Sequence, residues 1–217
     1  MVVCASALGC APVAHSLRGE PTRQLMPAAT LASRPQQLRF TWSYKDETFE
    51  ATGDGVVRAT GPDHARLDFF LRNGMAGGYA ILVGDSLTIP GVDLVKRFLP
   101  PVPLLWATLG RLALPATTDT VARVDGDTLR VDLGTLRGFD ASRAQGRAWR
   151  IAFAGATLAR VEHIEDGKVQ EWISRAPSAS GASELLYVHE QGKRRLRISV
   201  TETLSVEAFD DAIWRRP

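Results

Sequence analysis

The stretch Ala65-Arg66-Leu67-Asp68-Phe69-Phe70-Leu71-Arg72-Asn73-Gly74-Met75-Ala76-Gly77-Gly78-Tyr79-Ala80-Ile81-Leu82-Val83 decides the fold class. Leu67, Phe69 and Leu71 alternate with Asp68, Phe70 and Arg72, the period of two that sends successive side chains to opposite faces of a strand. Asn73-Gly74 supplies the positive φ of a tight hairpin turn, after which Tyr79, Ile81 and Val83 alternate with Ala80 and Leu82. Strand, turn, strand is the repeating unit.

The unit recurs from Phe40 to Thr203, punctuated by Gly61-Pro62-Asp63, Gly84-Asp85, Asp125-Gly126-Asp127, Asp166-Gly167 and Gln191-Gly192. Before the first of these hairpins come strands expected at 38–44 and 48–60; later strands are expected at 120–124, 128–133, 148–153, 157–164, 168–175, 184–189 and 194–204. Trp149, Ile151 and Phe153, and again Leu196, Ile198 and Val200, lie on one alternating face, with Arg195 and Arg197 on the other. Gly53 and Gly55 fall inside the second strand, where glycine marks a bulge or bend.

Val92, Leu94, Val95, Phe98 and Leu99 follow helical spacing, Pro100, Pro101 and Pro103 break the chain, and 104–112 resumes it, so two short helices interrupt the strands. The expected fold is mainly β: a single curved antiparallel sheet, a half-open β-barrel, with short helices covering its apolar concave face. Residues 37–217 form that domain. Residues 11–36, with four prolines and a weakly helical patch at 23–33, read as a tether and a short helix.

The chain has 217 residues, 45% of them hydrophobic, enough for one sizeable core in one domain. A formal net charge of +2, with both signs interleaved, leaves no field to hold nucleic acid. Arg194-Arg195 with Arg197 is the densest basic cluster, yet it sits on one strand without interleaved exposed aromatics.

Catalytic and metal signatures do not emerge. His15, His64, His163 and His189 are far apart and none has a second ligand at metal spacing. No serine sits in a Gly-x-Ser-x-Gly elbow, and Gly53-Asp54-Gly55 leads into strand residues with no helix N-terminus behind it. Glu162, Glu165 and Asp166 could be imagined as paired acids, but Asp166-Gly167 is a hairpin turn that puts its neighbours in solvent. The expectation is a non-enzymatic protein with no catalytic residue, no metal and no cofactor.

The opening residues are apolar and small and end in Leu8-Gly9-Cys10, which resembles the lipobox of bacterial lipoproteins, implying lipid attachment at Cys10. Only nine residues precede Cys10, against ~15–30 in a secretory leader, so residues 1–10 read as a truncated lipoprotein signal. The other reading is an apolar N-terminus whose Cys4 and Cys10 are incidental. Ala11-Pro12 lacks the aspartate associated with inner-membrane retention, which favours the outer membrane.

The body, over residues 37–215, resembles the LolA/LolB family of bacterial lipoprotein carriers and receptors. Carrying the resemblance are Phe40 and Trp42, the run from Gly53-Asp54-Gly55-Val56-Val57-Arg58 to Pro62, His64 to Phe70, Gly84-Asp85-Ser86, Leu104 to Gly110 with Leu112 and Leu114-Pro115, and the closing Val206-Glu207-Ala208-Phe209. The resemblance implies a half-barrel lidded by helices over an apolar cavity for acyl chains. Candidate lining residues are Trp42, Phe69, Tyr79, Leu104, Leu105, Trp106, Phe153 and Trp172. The same aromatics could instead fill an ordinary core.

The expected function is therefore that of an envelope lipoprotein, a monomer anchored on the periplasmic face of the outer membrane. It would bind acyl chains of lipoproteins or free lipid for transfer to that membrane. The alternative is a non-catalytic structural or interaction module of the envelope with a filled core.

Overall fold

The computed structural model describes residues 11–72, 77–91, 93–115, 119–134, 146–177 and 183–215. Cys4, Cys10, the Asn73-Gly74 turn and Met75 lie outside them. The strands are β1 (Glu20–Pro21), β2 (Gln36–Lys45), β3 (Glu50–Thr60), β4 (His64–Leu71), β5 (Gly78–Val83) and β6 (Ser86–Thr88). After the helices α1 (Asp93–Phe98) and α2 (Val102–Thr108) come β7 (Thr120–Asp125), β8 (Thr128–Gly134), β9 (Arg147–Ala154), β10 (Thr157–Glu165), β11 (Lys168–Pro177), β12 (Ser183–His189) and β13 (Arg194–Ser205).

All join one antiparallel sheet of 13 strands in the order β1-β7-β8-β9-β10-β11-β12-β13-β2-β3-β4-β5-β6, whose two edges do not pair, so the barrel stays open. From β2 to β6 and from β7 to β13 consecutive strands pair as hairpins, while β1 pairs with β7 and the helical insert separates the two runs. There the chain leaves β6 at one edge and re-enters at β7, and β13 closes back on β2 with Ile198 opposite Trp42. At Asp166-Gly167 both residues take positive φ, 49° and 71°, as a type I′ hairpin requires.

One face is dry. Phe40, Trp42, Tyr44, Val57, Leu67, Phe69, Ile151, Phe153, Val161, Ile173, Leu196 and Ile198 form one buried cluster with Val95, Phe98, Leu104, Leu105, Trp106 and Ala107 of the two helices. The helices therefore cover the inner face, and α2, a seven-residue segment too short to persist alone, is held by burying five consecutive residues, Leu104 to Thr108. The outer face carries cross-strand ion pairs, such as Arg150 on Asp132 through two hydrogen bonds of 2.8 and 2.9 Å.

The glycine pair differs from expectation. Register runs unbroken through Gly53 and Gly55 on both sides; bulges occur instead between Leu158 and Arg160, between His163 and Ile164, and between Val200 and Glu202. Gly53 and Gly55 are instead sites of close approach: Trp42 lies opposite Gly53 and Phe40 opposite Gly55, and each ring occupies the space a Cβ would need.

The N-terminal patch is not a helix. Residues 22–35 are irregular, because Pro27 removes a backbone donor and the patch offers few apolar residues for a helical stripe. Nor do residues 11–36 dangle as a tether. Val13 bridges Lys168, Ala14 N–H donates to the Gly167 carbonyl at 2.8 Å, Glu20 pairs with Val124, and Leu112 N–H donates to the Ala29 carbonyl at 2.9 Å. Ala14 closes a small second cluster with Ala148, Ile164 and Val169.

β5 turns the candidate lining residue Tyr79 away from the inner face. Ala65, Leu67 and Phe69 pair with Leu82, Ala80 and Gly78, so Ala80 and Leu82 point inward, while Tyr79, Ile81 and Val83 share the outer face with Asp68, Arg66 and His64. Both parities of β5 are apolar, which leaves periodicity unable to choose. The outer side is covered by the chain's end: a 3-10 turn, Asp211–Trp214, lays Trp214 edge-on to His64 at 5.6 Å.

Candidate ligand cavity

Along β2 the inner side chains run Leu38, Phe40, Trp42, Tyr44, and the two halves of this row meet different neighbours. Trp42, Tyr44 and Phe69 close around Phe98 of α1, with ring centroids 5.0 to 5.6 Å from it. That end is filled. A latch fixes α1 there: Arg97 donates from Nε and Nη2 to the two Asp46 oxygens at 2.7 and 2.9 Å, and the Tyr44 hydroxyl donates to Asp46 at 2.7 Å. Arg97 holds the Asp46 carboxyl well below the usual carboxylate range, and burial, then Asp46, pushes the Tyr44 hydroxyl up to about 12.

At the other end the row meets aliphatic and small side chains, which leave a cavity of about 200 Å³. Leu38, Phe40, Val57, Ala59, Leu67, Leu185, Ile198 and Val200 line it from the sheet, Thr108 and Leu109 from the end of α2, and Leu31 and Ala32 from the irregular N-terminal segment. Arg34, Gln36, Arg175, Ser183 and Thr203 complete the lining. Most of its lining residues are apolar, and six polar or charged side chains stand among them, two of them cations, a mixture that suits a small amphiphilic molecule.

None of the eight residues singled out from the sequence lines this cavity. Trp42, Phe69, Leu104, Leu105, Trp106 and Phe153 are packed into the core, each 3% exposed or less. Trp106 is further tied by its indole N–H to the Gly84 carbonyl at 2.8 Å and lies under the Arg111 guanidinium at 4.4 Å. Tyr79 and Trp172 are on the outer face, away from it: Arg66 sits over Tyr79 at 4.2 Å, and Arg160 over Trp172 at 3.8 Å, with the Trp172 indole donating to Glu190 at 2.8 Å. The large aromatics fill volume; the gap opens where alanine, valine and leucine leave volume unfilled.

Several other titratable groups are paired. Glu165 holds Arg147 at 2.8 Å and Glu162 holds Arg160 at 2.6 Å. His64 lies 3.0 Å from Asp63, and His189 Nδ1 accepts the Gly192 N–H at 2.9 Å. Glu171, buried on the inner face, accepts the Tyr187 hydroxyl at 2.9 Å and lies 3.4 Å from His163, which stacks on Trp149. Burial and then the Glu171 charge drive the Tyr187 hydroxyl far up, so it stays a neutral donor. Among the described residues, no three His, Cys, Asp or Glu side chains gather as a metal site would need.

Arg175 stands apart. It follows Ile173 on the inner face of β11, opposite Leu185, and its guanidinium packs against Gly110 just beyond α2. Burial pulls its pKa below the ordinary arginine value. Proximity in the fold, which no local pattern encodes, is what brings it to the cavity.

No protein-family model matches the chain, and no curated protein does. Solved structures do. A LolA superfamily protein from Nitrosomonas europaea superposes with a TM-score of 0.53 and 10% identity, covering 87% of this chain and 93% of that one. A DUF1329 family protein from Desulfovibrio piger gives 0.50 and 8% over 85% and 90%, and an outer-membrane lipoprotein-sorting protein domain from Vibrio parahaemolyticus gives 0.50 and 6% over 86% and 91%. At such identities the likeness is one of fold.

Proposed function

We propose that the protein is a non-enzymatic envelope lipoprotein, a monomer anchored through Cys10 on the periplasmic face of the outer membrane. Its cavity takes up acyl chains of lipoproteins or free lipid for transfer to, or insertion in, that membrane. The observation that supports this reading is the apolar cavity on the inner face of an open, helix-covered sheet. The fold shared with lipoprotein-sorting proteins lends it further support.

The mechanism is reversible burial, with no covalent step. Each methylene withdrawn from water contributes about 0.8 kcal/mol, so a partly inserted chain already binds. At about 200 Å³ the cavity is below the ~300 Å³ at the lower end of sites for drug-sized ligands. A whole long chain therefore requires a wall to move. Thr108 and Leu109, at the end of α2, are that wall; Leu104, Leu105 and Trp106 are packed too tightly to move first.

Titration with a fluorescent long-chain fatty acyl probe tests this reading. The protein is expected to bind the probe saturably, and Ala59→Phe, which puts a ring into the cavity, is expected to weaken binding by about tenfold or more, equivalent to ~1.4 kcal/mol. Far-UV circular dichroism should be unchanged. A protein that shows no saturable binding, or a variant that binds as well as the parent, contradicts the reading and favours a packed interaction module.

A further inference from the structure

Five other arginines show how this chain treats its cations: Arg58, Arg66, Arg97, Arg150 and Arg160 each hold a carboxylate at 3.0 Å or less. Arg175 holds none among the described residues. It lines a cavity whose lining, among the described residues, contains one further cation, Arg34, and no Asp or Glu. A guanidinium cannot shed its charge at physiological pH, so a half-buried one without a counter-ion is costly to the fold. A fold keeps such a group where something outside the chain completes it.

Building on the acyl-cavity reading, we propose that the cavity takes a single-chain amphiphile with an anionic head, and that Arg175 holds that head while the chain lies along Leu67, Leu185 and Ile198. Guanidinium presents two parallel N–H donors, a match for a group with two equivalent oxygens, either the carboxylate of a fatty acid or the phosphate of a lysophospholipid. One acyl chain agrees with the size of the cavity, and an anion agrees with its sign. Gln36, Ser183 and Thr203, which also line the cavity, offer neutral donors to a second head-group oxygen.

The test is calorimetric titration of the full chain, below each ligand's critical micelle concentration, with palmitate, methyl palmitate and palmitoyl lysophosphatidate. Wild type is expected to bind at least one of the two anions about tenfold more tightly than the methyl ester, the discrimination a charge-assisted bidentate contact gives. Arg175→Gln is expected to erase that preference, so that the anions bind the variant no more tightly than the ester does. Preference for palmitate identifies the head as a carboxylate, and preference for lysophosphatidate as a phosphate.

Equal wild-type affinity for ester and anions overturns the proposal while leaving acyl binding intact, and so does an Arg175→Gln protein that keeps the preference. Binding of none of the three overturns the acyl reading and this proposal with it. The wild-type comparison needs no variant to fold.

Discussion

Phe98→Ala is expected to destabilise the protein by about 4 kcal/mol, within the range for deleting a fully buried phenylalanine. Phe98 is 0% exposed and is where α1 meets the sheet. Its ring stacks on Trp42 at 5.1 Å, meets Phe69 edge-on at 5.0 Å and lies tilted against Tyr44 at 5.6 Å. A six-residue helix has no stability of its own. The loss therefore includes the transfer free energy of one ring, the void it leaves, and the contacts three other rings made with it. Urea unfolding followed by tryptophan fluorescence measures it, and a loss below about 1 kcal/mol would show that α1 is held by the Arg97–Asp46 latch instead.

Gly55→Val is expected to cost about 3 kcal/mol or more, at the upper end for overpacking a core. A Cβ at this position would clash with Cζ of Phe40 and fall 2.7 Å from the Asp68 carbonyl oxygen, and the second of these is backbone that cannot rotate away. Gly55 lies between Phe40 on one side and Phe69 on the other, in unbroken register, so strain there spreads into three strands. Because Phe40 also lines the cavity, the variant should lose acyl-probe binding together with stability. The double variant Phe40→Ala with Gly55→Val should lose less than the sum of the two single changes, since one removes what the other strikes. Additivity would show that the glycine is needed for backbone reasons alone.

Most of the architecture was legible in local pattern. Alternation at Leu67-Phe69-Leu71 and at Leu196-Ile198-Val200, with Asp-Gly and related turns between runs, is a short-range code, and the observed strands follow it within a few residues. What escaped it depends on distance. The return of β13 to β2 joins residues 150 or more positions apart, and nothing in either strand names the other. At β5 both parities are apolar, because the C-terminal turn buries the outer side as the core buries the inner one, so alternation could not place Tyr79.

The cavity was harder to read than the sheet for the same reason. Large side chains attract attention, yet Trp42, Phe69, Trp106 and Phe153 are the pieces that fit together, and a cavity is where fitting stops. Ala59, Val57 and Leu185 carry no mark of that in sequence. Arg175 was equally silent: an arginine in an alternating strand looks like any solvated residue until the fold turns it inward beside Leu185 and Gly110, with no acid opposite it among the described residues.

The central claim is that the inner cavity holds acyl chains, and native mass spectrometry of the full chain purified from a bacterial envelope extract tests it most directly. The account predicts additional peaks displaced from the polypeptide mass by one acyl species, lost when Ala59→Phe is measured in the same way. A protein that appears only at its own mass, and stays there after palmitate is added, would contradict it.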